Sequence, residues 1–218
     1  MLTLKGQPLP GYFAPSQPED PSLILIHEYW GLNEHIKDVA RRFSGEGFNV
    51  FAVDLFAGKV ATDEAAAEES MKALDWKVGV PLVGQALEAL RQLGSNPRTG
   101  VLGFCLGGAF SLACAAALPG LDACVPFYGI PPSLDATKIK ARVLGHFAIH
   151  DRWCSPPRVA ALEQQLSAAN VAFDLHRYDA QHAFFNDSRP VYSPEHAKLA
   201  WNRSLQFLHT VLGQSSSP

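Results

Sequence analysis

The chain has 218 residues, of which 47% are hydrophobic, and carries a formal net charge of −3 at pH 7. This size and apolar content allow one well-buried core, so we expect a single domain over residues 1–218. Lysines and arginines are scattered along the chain, which excludes nucleic acid and anionic membrane surfaces as expected partners. The N-terminus lacks an apolar segment of signal-peptide length, and we expect a cytoplasmic monomer with reduced cysteines.

The first predicted elements are two short strands, residues 2–4 and 11–14, on either side of a turn rich in proline and glycine. This pattern predicts a hairpin at the edge of a sheet. A buried strand over residues 23–27 comes next. Asn33 then caps a helix whose apolar residues recur with the helical period.

Strands and helices alternate along the rest of the chain. We predict strands over residues 48–53, 100–104, 123–128, 142–149 and 172–178, and helices over residues 62–74, 80–93, 106–118, 156–169 and 194–212. Continuous apolar strands that alternate with helices are typical of a mostly parallel sheet covered on both faces. Functional side chains of such a sheet collect at the carboxyl ends of its strands.

Glycines flank a cysteine at the point where the strand over residues 100–104 meets the following helix, in the spacing Gly103-x-Cys105-x-Gly107. This is the spacing of a nucleophile elbow with cysteine in place of serine, a turn that requires small neighbours. The positive end of the helix dipole favours a thiolate there, and the Leu106 N–H points towards an oxyanion formed on attack. We predict that Cys105 is the nucleophile of an acyl-transfer site.

Two other interpretations of this stretch are open. Residues 101–118 carry no charge and reach the minimum length of a membrane span, although glycines divide them into a strand and a helix. Cys105 could instead be a buried structural thiol. The other cysteines, Cys114, Cys124 and Cys154, match neither a redox pair nor a zinc frame, and we expect Cys114 and Cys124 to be inert core thiols.

Three polar residues follow predicted strands: Glu28, Asp151 and His182. The order cysteine, acid, histidine along the chain is the order that α/β-hydrolases use. His182 would take the proton of the Cys105 thiol and later protonate the leaving group, while Asp151 would fix the tautomer of the imidazole. Asp179 is the alternative acid, although a turn or cap is its competing role.

The other histidines lie on predicted strands or helix faces and are interpreted as structural: His27, His35, His146, His150, His176, His196 and His209. His146 and His150 are four residues apart on one strand, which leaves a metal site open as an alternative. Their spacing matches no zinc motif, and the glycines of residues 103–108 match no nucleotide-binding loop. We predict neither a metal nor a cofactor.

These motifs resemble the dienelactone hydrolases, a cysteine-dependent family of the α/β-hydrolase fold. The resemblance covers nearly the whole chain and rests on residues 27–32 (HEYWGL), 103–108 (GFCLGG), 182–184 (HAF) and Asp151. It implies the α/β-hydrolase fold and the hydrolysis of an ester or lactone.

The resemblance also implies roles for individual residues. Cys105, Asp151 and His182 would form the triad. Glu28 would interact with the thiol and help to generate the thiolate when substrate binds, although a carboxylate that only orders its loop is the alternative. The backbone amides of Tyr29 and Leu106 would form the oxyanion hole.

The family binds the carboxylate of its lactone substrate with two arginines. The first position, four residues after the histidine, is Asn186 here, and no arginine lies between Arg42 and Arg91 to supply the second. Arg152 and Arg189 are candidates to replace them. We expect a weaker preference for the anionic lactone than in relatives with both arginines. The residues expected to contact substrate are Asn186, Tyr128, Trp153 and Arg152.

The sequence therefore predicts a hydrolase that cleaves a small carboxylic ester or lactone through a thioacyl-enzyme. One alternative is a hydrolase of another acyl group, such as a thioester. The other is a non-catalytic relative that binds a ligand or senses redox state. Acylation by an activated ester followed by turnover separates an enzyme from a binding protein.

Overall fold

Nine strands and six α-helices make up residues 1–213, the part of the chain that a computed structural model describes. The strands are β1 (Thr3–Leu4), β2 (Gln7–Pro8), β3 (Gly11–Ala14), β4 (Ser22–Ile26), β5 (Asn49–Val53), β6 (Thr99–Phe104), β7 (Ala123–Phe127), β8 (Arg142–His150) and β9 (Phe173–Gln181). The helices are α1 (Glu34–Gly45), α2 (Glu64–Ala73), α3 (Trp76–Leu93), α4 (Leu106–Ala117), α5 (Pro156–Ala168) and α6 (Pro194–Leu212). A short 3-10 helix, Ala136–Lys138, precedes β8.

Seven strands form the central sheet in the order β3-β5-β4-β6-β7-β8-β9. All neighbours are parallel except β3, which pairs antiparallel with β5 at the edge. Successive side chains of a strand point to opposite faces. Leu23 and Leu25 of β4 accordingly belong to a core cluster with residues of α1 and α6, whereas Ile24 and Ile26 belong to one with residues of α3, α4 and α5. The predicted parallel sheet with helices on both faces is confirmed.

Helix capping explains where the first three helices begin. Asn33 caps α1 as predicted, because its side-chain oxygen accepts the N–H of Ile36 at 3.1 Å. The predicted cap of α2 at Thr62 is one residue early, since Asp63 accepts the N–H of Ala66 at 2.9 Å. The predicted start of α3 near residue 80 is late, because Asp75 caps the helix at Trp76.

The predicted N-terminal edge hairpin is wrong in its pairing. The hairpin consists of β1 and β2, in which Thr3 pairs with Pro8. The strand β3 instead joins the central sheet, where Gly11 pairs with Val53. At Gly11, φ is +155°, and an added Cβ would lie 2.4 Å from the carbonyl oxygen of Ala52. Only glycine allows the two backbones to approach this closely.

The uncharged stretch over residues 101–118 is divided as expected between β6 and α4. Both elements are buried within the fold. Within residues 1–213, no helix combines the length and the apolar character needed to cross a bilayer.

Candidate active site

Cys105 lies at the turn between β6 and α4, with φ 54° and ψ −113°. This backbone conformation is strained for a residue with a side chain. A Cβ on Gly103 would lie 2.1 Å from the carbonyl oxygen of Gly107, and one on Gly107 would lie 2.2 Å from that of Ile26. The two glycines are therefore required for the chain to turn at Cys105, as the spacing predicts.

The backbone amide of Leu106 is the first of α4 and has no acceptor within that helix. It lies beside Cys105, where the positive end of the helix dipole also acts. Tyr29 follows the carboxyl end of β4, which neighbours β6 in the sheet. Cys105 and Tyr29 line one cavity together with Leu106. The expected oxyanion-hole residues thus border the thiol.

The four cysteines differ in exposure. Cys105 is partly exposed, whereas Cys114, Cys124 and Cys154 are buried. Burial raises the pKa of the Cys114 thiol far above its ordinary value, and that of Cys124 to about 12. Burial and the nearby charge of Asp151 raise the pKa of Cys154 to about 12 as well. A thiol with such a pKa stays protonated and unreactive, which leaves Cys105 as the candidate nucleophile.

His182 and Asp151 meet at the carboxyl ends of β8 and β9. Nδ1 of His182 lies 2.6 Å from Oδ2 of Asp151. The other oxygen of Asp151 accepts the backbone N–H groups of Trp153, at 2.7 Å, and Cys154, at 3.0 Å. Burial opposes ionisation of Asp151, but the hydrogen bonds and the charge of His182 hold its pKa below the ordinary value. Asp151 is thus a fixed carboxylate directed at the imidazole.

The His182 ring is largely enclosed. It contacts Tyr128, with ring centroids 5.0 Å apart, and Trp153, with centroids 4.7 Å apart. Burial alone would lower its pKa, but hydrogen bonds and charge from Asp151 and Cys105 raise it to about 10. The imidazole therefore carries a proton at neutral pH and can stabilise a thiolate on Cys105.

The raised pKa of His182 predicts a pH-dependent contribution to stability. A proton bound more tightly in the folded than in the unfolded protein stabilises the fold. The contribution is complete below about pH 6.5 and is lost as the pH rises towards 10. We therefore expect wild type to lose stability relative to His182→Gln as the pH rises through this range. Urea unfolding of both proteins at stepped pH measures the difference, and a difference that stays constant would contradict this expectation.

Glu28 is buried just after the end of β4 and lines a cavity together with Cys105. Its Oε2 accepts a hydrogen bond from the side-chain amide of Asn186, and its Oε1 lies 3.4 Å from the hydroxyl of Tyr128. Burial raises the pKa of Glu28, although the charge of His35 and the hydrogen bond from Asn186 act in the opposite direction. The carboxyl can therefore hold a proton at a higher pH than an exposed glutamate can.

The expected substrate contacts fall into two groups. Asn186 and Tyr128 are fully buried, and both are partners of Glu28. Trp153 is 50% exposed and lines the cleft, and the guanidinium of Arg152 lies 4.1 Å from the centroid of its ring. Asn186 occupies the position at which the resemblance places a substrate-binding arginine. Here its side chain hydrogen-bonds the buried Glu28 carboxyl and does not line the cleft.

Asp179, the alternative acid, forms a separate pair with His150, whose Nε2 lies 2.8 Å away. Both side chains are exposed. His146 is instead buried, with its ring nitrogens bonded to Tyr178 and Ser204. The two histidines, four residues apart on β8, thus bond different partners, His146 in the interior and His150 at the surface. Within residues 1–213, no three potential metal ligands are grouped to hold an ion.

Two joined cavities open over Cys105, of about 490 Å³ and about 280 Å³. Arg189 lines the larger one, and its guanidinium lies 4.1 Å from the centroid of the Trp30 ring. The sequence does not identify the residues that α2 and the start of α3 contribute to the cavities. These are Glu64, Glu68, Met71 and Trp76. Residues 64, 68 and 71 have the spacing of one helix face, but this spacing does not predict which part of the protein that face contacts.

Comparisons with known proteins identify the family of this chain. A family model described as the dienelactone hydrolase family matches residues 9–212. Protein usf of Aquifex pyrophilus is 33% identical over 225 residues, which cover 95% of each chain. A protein of Saccharolobus solfataricus, provisionally named a carboxymethylenebutenolidase, is 32% identical over 240 residues, covering 89% of this chain and 91% of its own. A solved structure from Klebsiella pneumoniae, provisionally named a dienelactone hydrolase, has a TM-score of 0.81 at 27% identity, over 94% of this chain and 98% of that one. The chain therefore belongs to the dienelactone hydrolase family and is a hydrolase of the α/β-hydrolase fold.

Proposed function

We propose that this protein hydrolyses a small carboxylic ester or lactone through a thioacyl-enzyme on Cys105. One observation carries the proposal. A partly exposed thiol at a strained turn lines the same cavity as an imidazole, and Nδ1 of that imidazole lies 2.6 Å from a buried carboxylate. This is the arrangement of a nucleophile, a general base and an orienting acid. Membership of the dienelactone hydrolase family supports an ester or lactone as the substrate.

The acylation half of the reaction uses the thiolate of Cys105. Its sulfur attacks the carbonyl carbon of the ester after the thiol proton has passed to His182. The carbonyl oxygen becomes an oxyanion, to which the backbone amides of Tyr29 and Leu106 donate. The bond to the alcohol oxygen then breaks, and His182 gives that oxygen its proton. The products of this half are the free alcohol and a thioester on Cys105.

Water completes the reaction. His182 takes a proton from a water molecule, whose oxygen attacks the thioester carbon, and the bond to sulfur breaks. The carboxylic acid leaves, and Cys105 and His182 return to their starting state. Asp151 holds the imidazole in the correct tautomer and stabilises its positive charge in both halves. Glu28 lines the cavity together with Cys105 and, as the resemblance implies, helps to generate the thiolate when substrate binds, while the thiol proton itself passes to His182.

Trapping of the acyl group tests this proposal. Wild-type protein is mixed with p-nitrophenyl acetate, quenched with acid during the first turnovers, digested and analysed by mass spectrometry. We expect a stoichiometric acetyl group on the peptide that contains Cys105 and none on peptides with the buried Cys114 or Cys124. Nitrophenol release with no acyl group on Cys105 would contradict the thioacyl mechanism.

A further inference from the structure

The two joined cavities over Cys105 differ in the chemistry of their walls. Six residues line both of them: Tyr29, Glu64, Cys105, Arg152, Trp153 and His182. Beyond these, the larger cavity is lined mainly by the loop that carries His182, including Gln181, Ala183 and Arg189. The smaller cavity is lined mostly by apolar side chains, among them Met71, Trp76, Leu106 and Ile130, and in addition by the charged Glu68 and Arg158. The cleft therefore offers two directions for the two halves of an ester.

The position of His182 decides which half lies in which cavity. The imidazole must reach the alcohol oxygen as the ester bond breaks, so the alcohol leaves on the side of the loop that holds the ring. The His182 ring lines both cavities, but residues that follow it in this loop, such as Ala183 and Arg189, line the larger cavity alone. The acyl group stays attached to Cys105 and extends away from His182, past Leu106. Leu106 and Ile130 border the smaller cavity.

The apolar walls are held in place by their own contacts. The Trp76 ring stacks on the buried Phe110 ring, with centroids 3.9 Å apart. Arg158 donates to the carbonyl oxygens of both Trp153 and Ile130, which ties the two loops at the mouth of the smaller cavity. These contacts support the cavity wall formed by Trp76 and by the loops of Trp153 and Ile130.

Met71 lies on α2, which covers the smaller cavity. Ala67 is the one residue of this helix that is buried. Met71 is 37% exposed although its side chain lines the cavity. With one buried residue, α2 contributes little to the hydrophobic core. Its face with Glu64, Glu68 and Met71 instead forms part of the cavity wall near Cys105. Met71 is thus placed to limit how far an apolar group extends from the sulfur.

We propose that the smaller cavity is an acyl pocket and that the substrate is an ester whose acid part is an apolar chain or ring. Met71 is the residue that limits the length of the acyl group. This inference rests on the proposed function. Each methylene that enters the pocket should raise kcat/KM by about fourfold until the pocket is full.

Two series of esters test the acyl pocket. The first varies the acid part: p-nitrophenyl acetate, butyrate, hexanoate and octanoate. The second varies the alcohol part, as methyl, butyl, hexyl and octyl acetates. The variant Met71→Trp fills the pocket. Ala73→Trp is the matched control, because residue 73 is exposed on the same helix and does not line the cavity.

We expect kcat/KM of wild type and Ala73→Trp to rise along the acyl series. In Met71→Trp the rise should be lost, so that the ratio of kcat/KM for octanoate to that for acetate falls well below the wild-type ratio, while the trend along the alcohol series should match that of wild type. A flat acyl series in an active wild-type enzyme would overturn the acyl pocket alone. So would a Met71→Trp variant that keeps the rise or alters only the alcohol series. Absence of turnover with every ester would overturn the proposed function together with this inference.

Discussion

Replacing Cys105 with alanine should abolish ester hydrolysis while the fold is kept. The substitution removes the atom that forms the thioester, so kcat with p-nitrophenyl acetate should fall by a factor on the order of 10³ or more. The side chain is small and partly exposed. The free energy of unfolding should therefore change by less than about 1 kcal/mol. Steady-state kinetics and urea unfolding of the same preparations give the two quantities.

Cys114→Ala is the matched control for this loss. Cys114 lies on α4, the helix that starts at Leu106, and its side chain is fully buried. Truncation leaves a small cavity that should lower the free energy of unfolding by about 1–2 kcal/mol, while kcat stays close to that of wild type. The proposed function fails if Cys105→Ala retains wild-type turnover, because the elbow would then not be the site of attack.

The sequence predicts the helices and strands that are determined by residues close together in the chain. The helical period and an aspartate or asparagine cap mark α1, and apolar runs of strand length mark β4 to β8. The pairing of β3 is different, because a short strand after a turn can pair with its neighbour or with a distant edge. Local residues do not decide between these partners. Here β5 offers an unpaired edge at which Gly11 permits close approach.

The catalytic candidates are predictable because each follows a strand, and parallel strands bring their carboxyl ends together. Asn186 shows where this reasoning stops. Four residues after His182, the chain has already turned inward, and its amide meets Glu28 in the interior. An arginine at this position would place its charge beside a buried carboxyl. The cavity-lining residues of α2 cannot be predicted from the sequence either, because they depend on how a helix with one buried residue is positioned over the cleft.

Removing the imidazole or its carboxylate partner should lower activity in a non-additive way. His182→Gln should reduce kcat by about 10³-fold, within the range that general acid–base catalysis contributes. Asp151→Asn should reduce it by about 10²-fold or more. The asparagine oxygen can still accept the N–H groups of Trp153 and Cys154, which turns its NH₂ towards Nδ1 of His182. Nδ1 must then accept, so the proton moves to the nitrogen that should receive it from Cys105.

The double variant tests whether these two residues act as one unit. Asp151 works only through His182, so His182→Gln with Asp151→Asn should be no slower than His182→Gln alone. Asp179→Asn is the matched control, because this aspartate pairs with the exposed His150 and should leave kcat within about twofold of wild type. Turnover in the double variant that equals the product of both single losses would show that Asp151 acts independently of the imidazole. A large loss of kcat in Asp179→Asn would show that Asp179, and not Asp151, is the acid that orients His182.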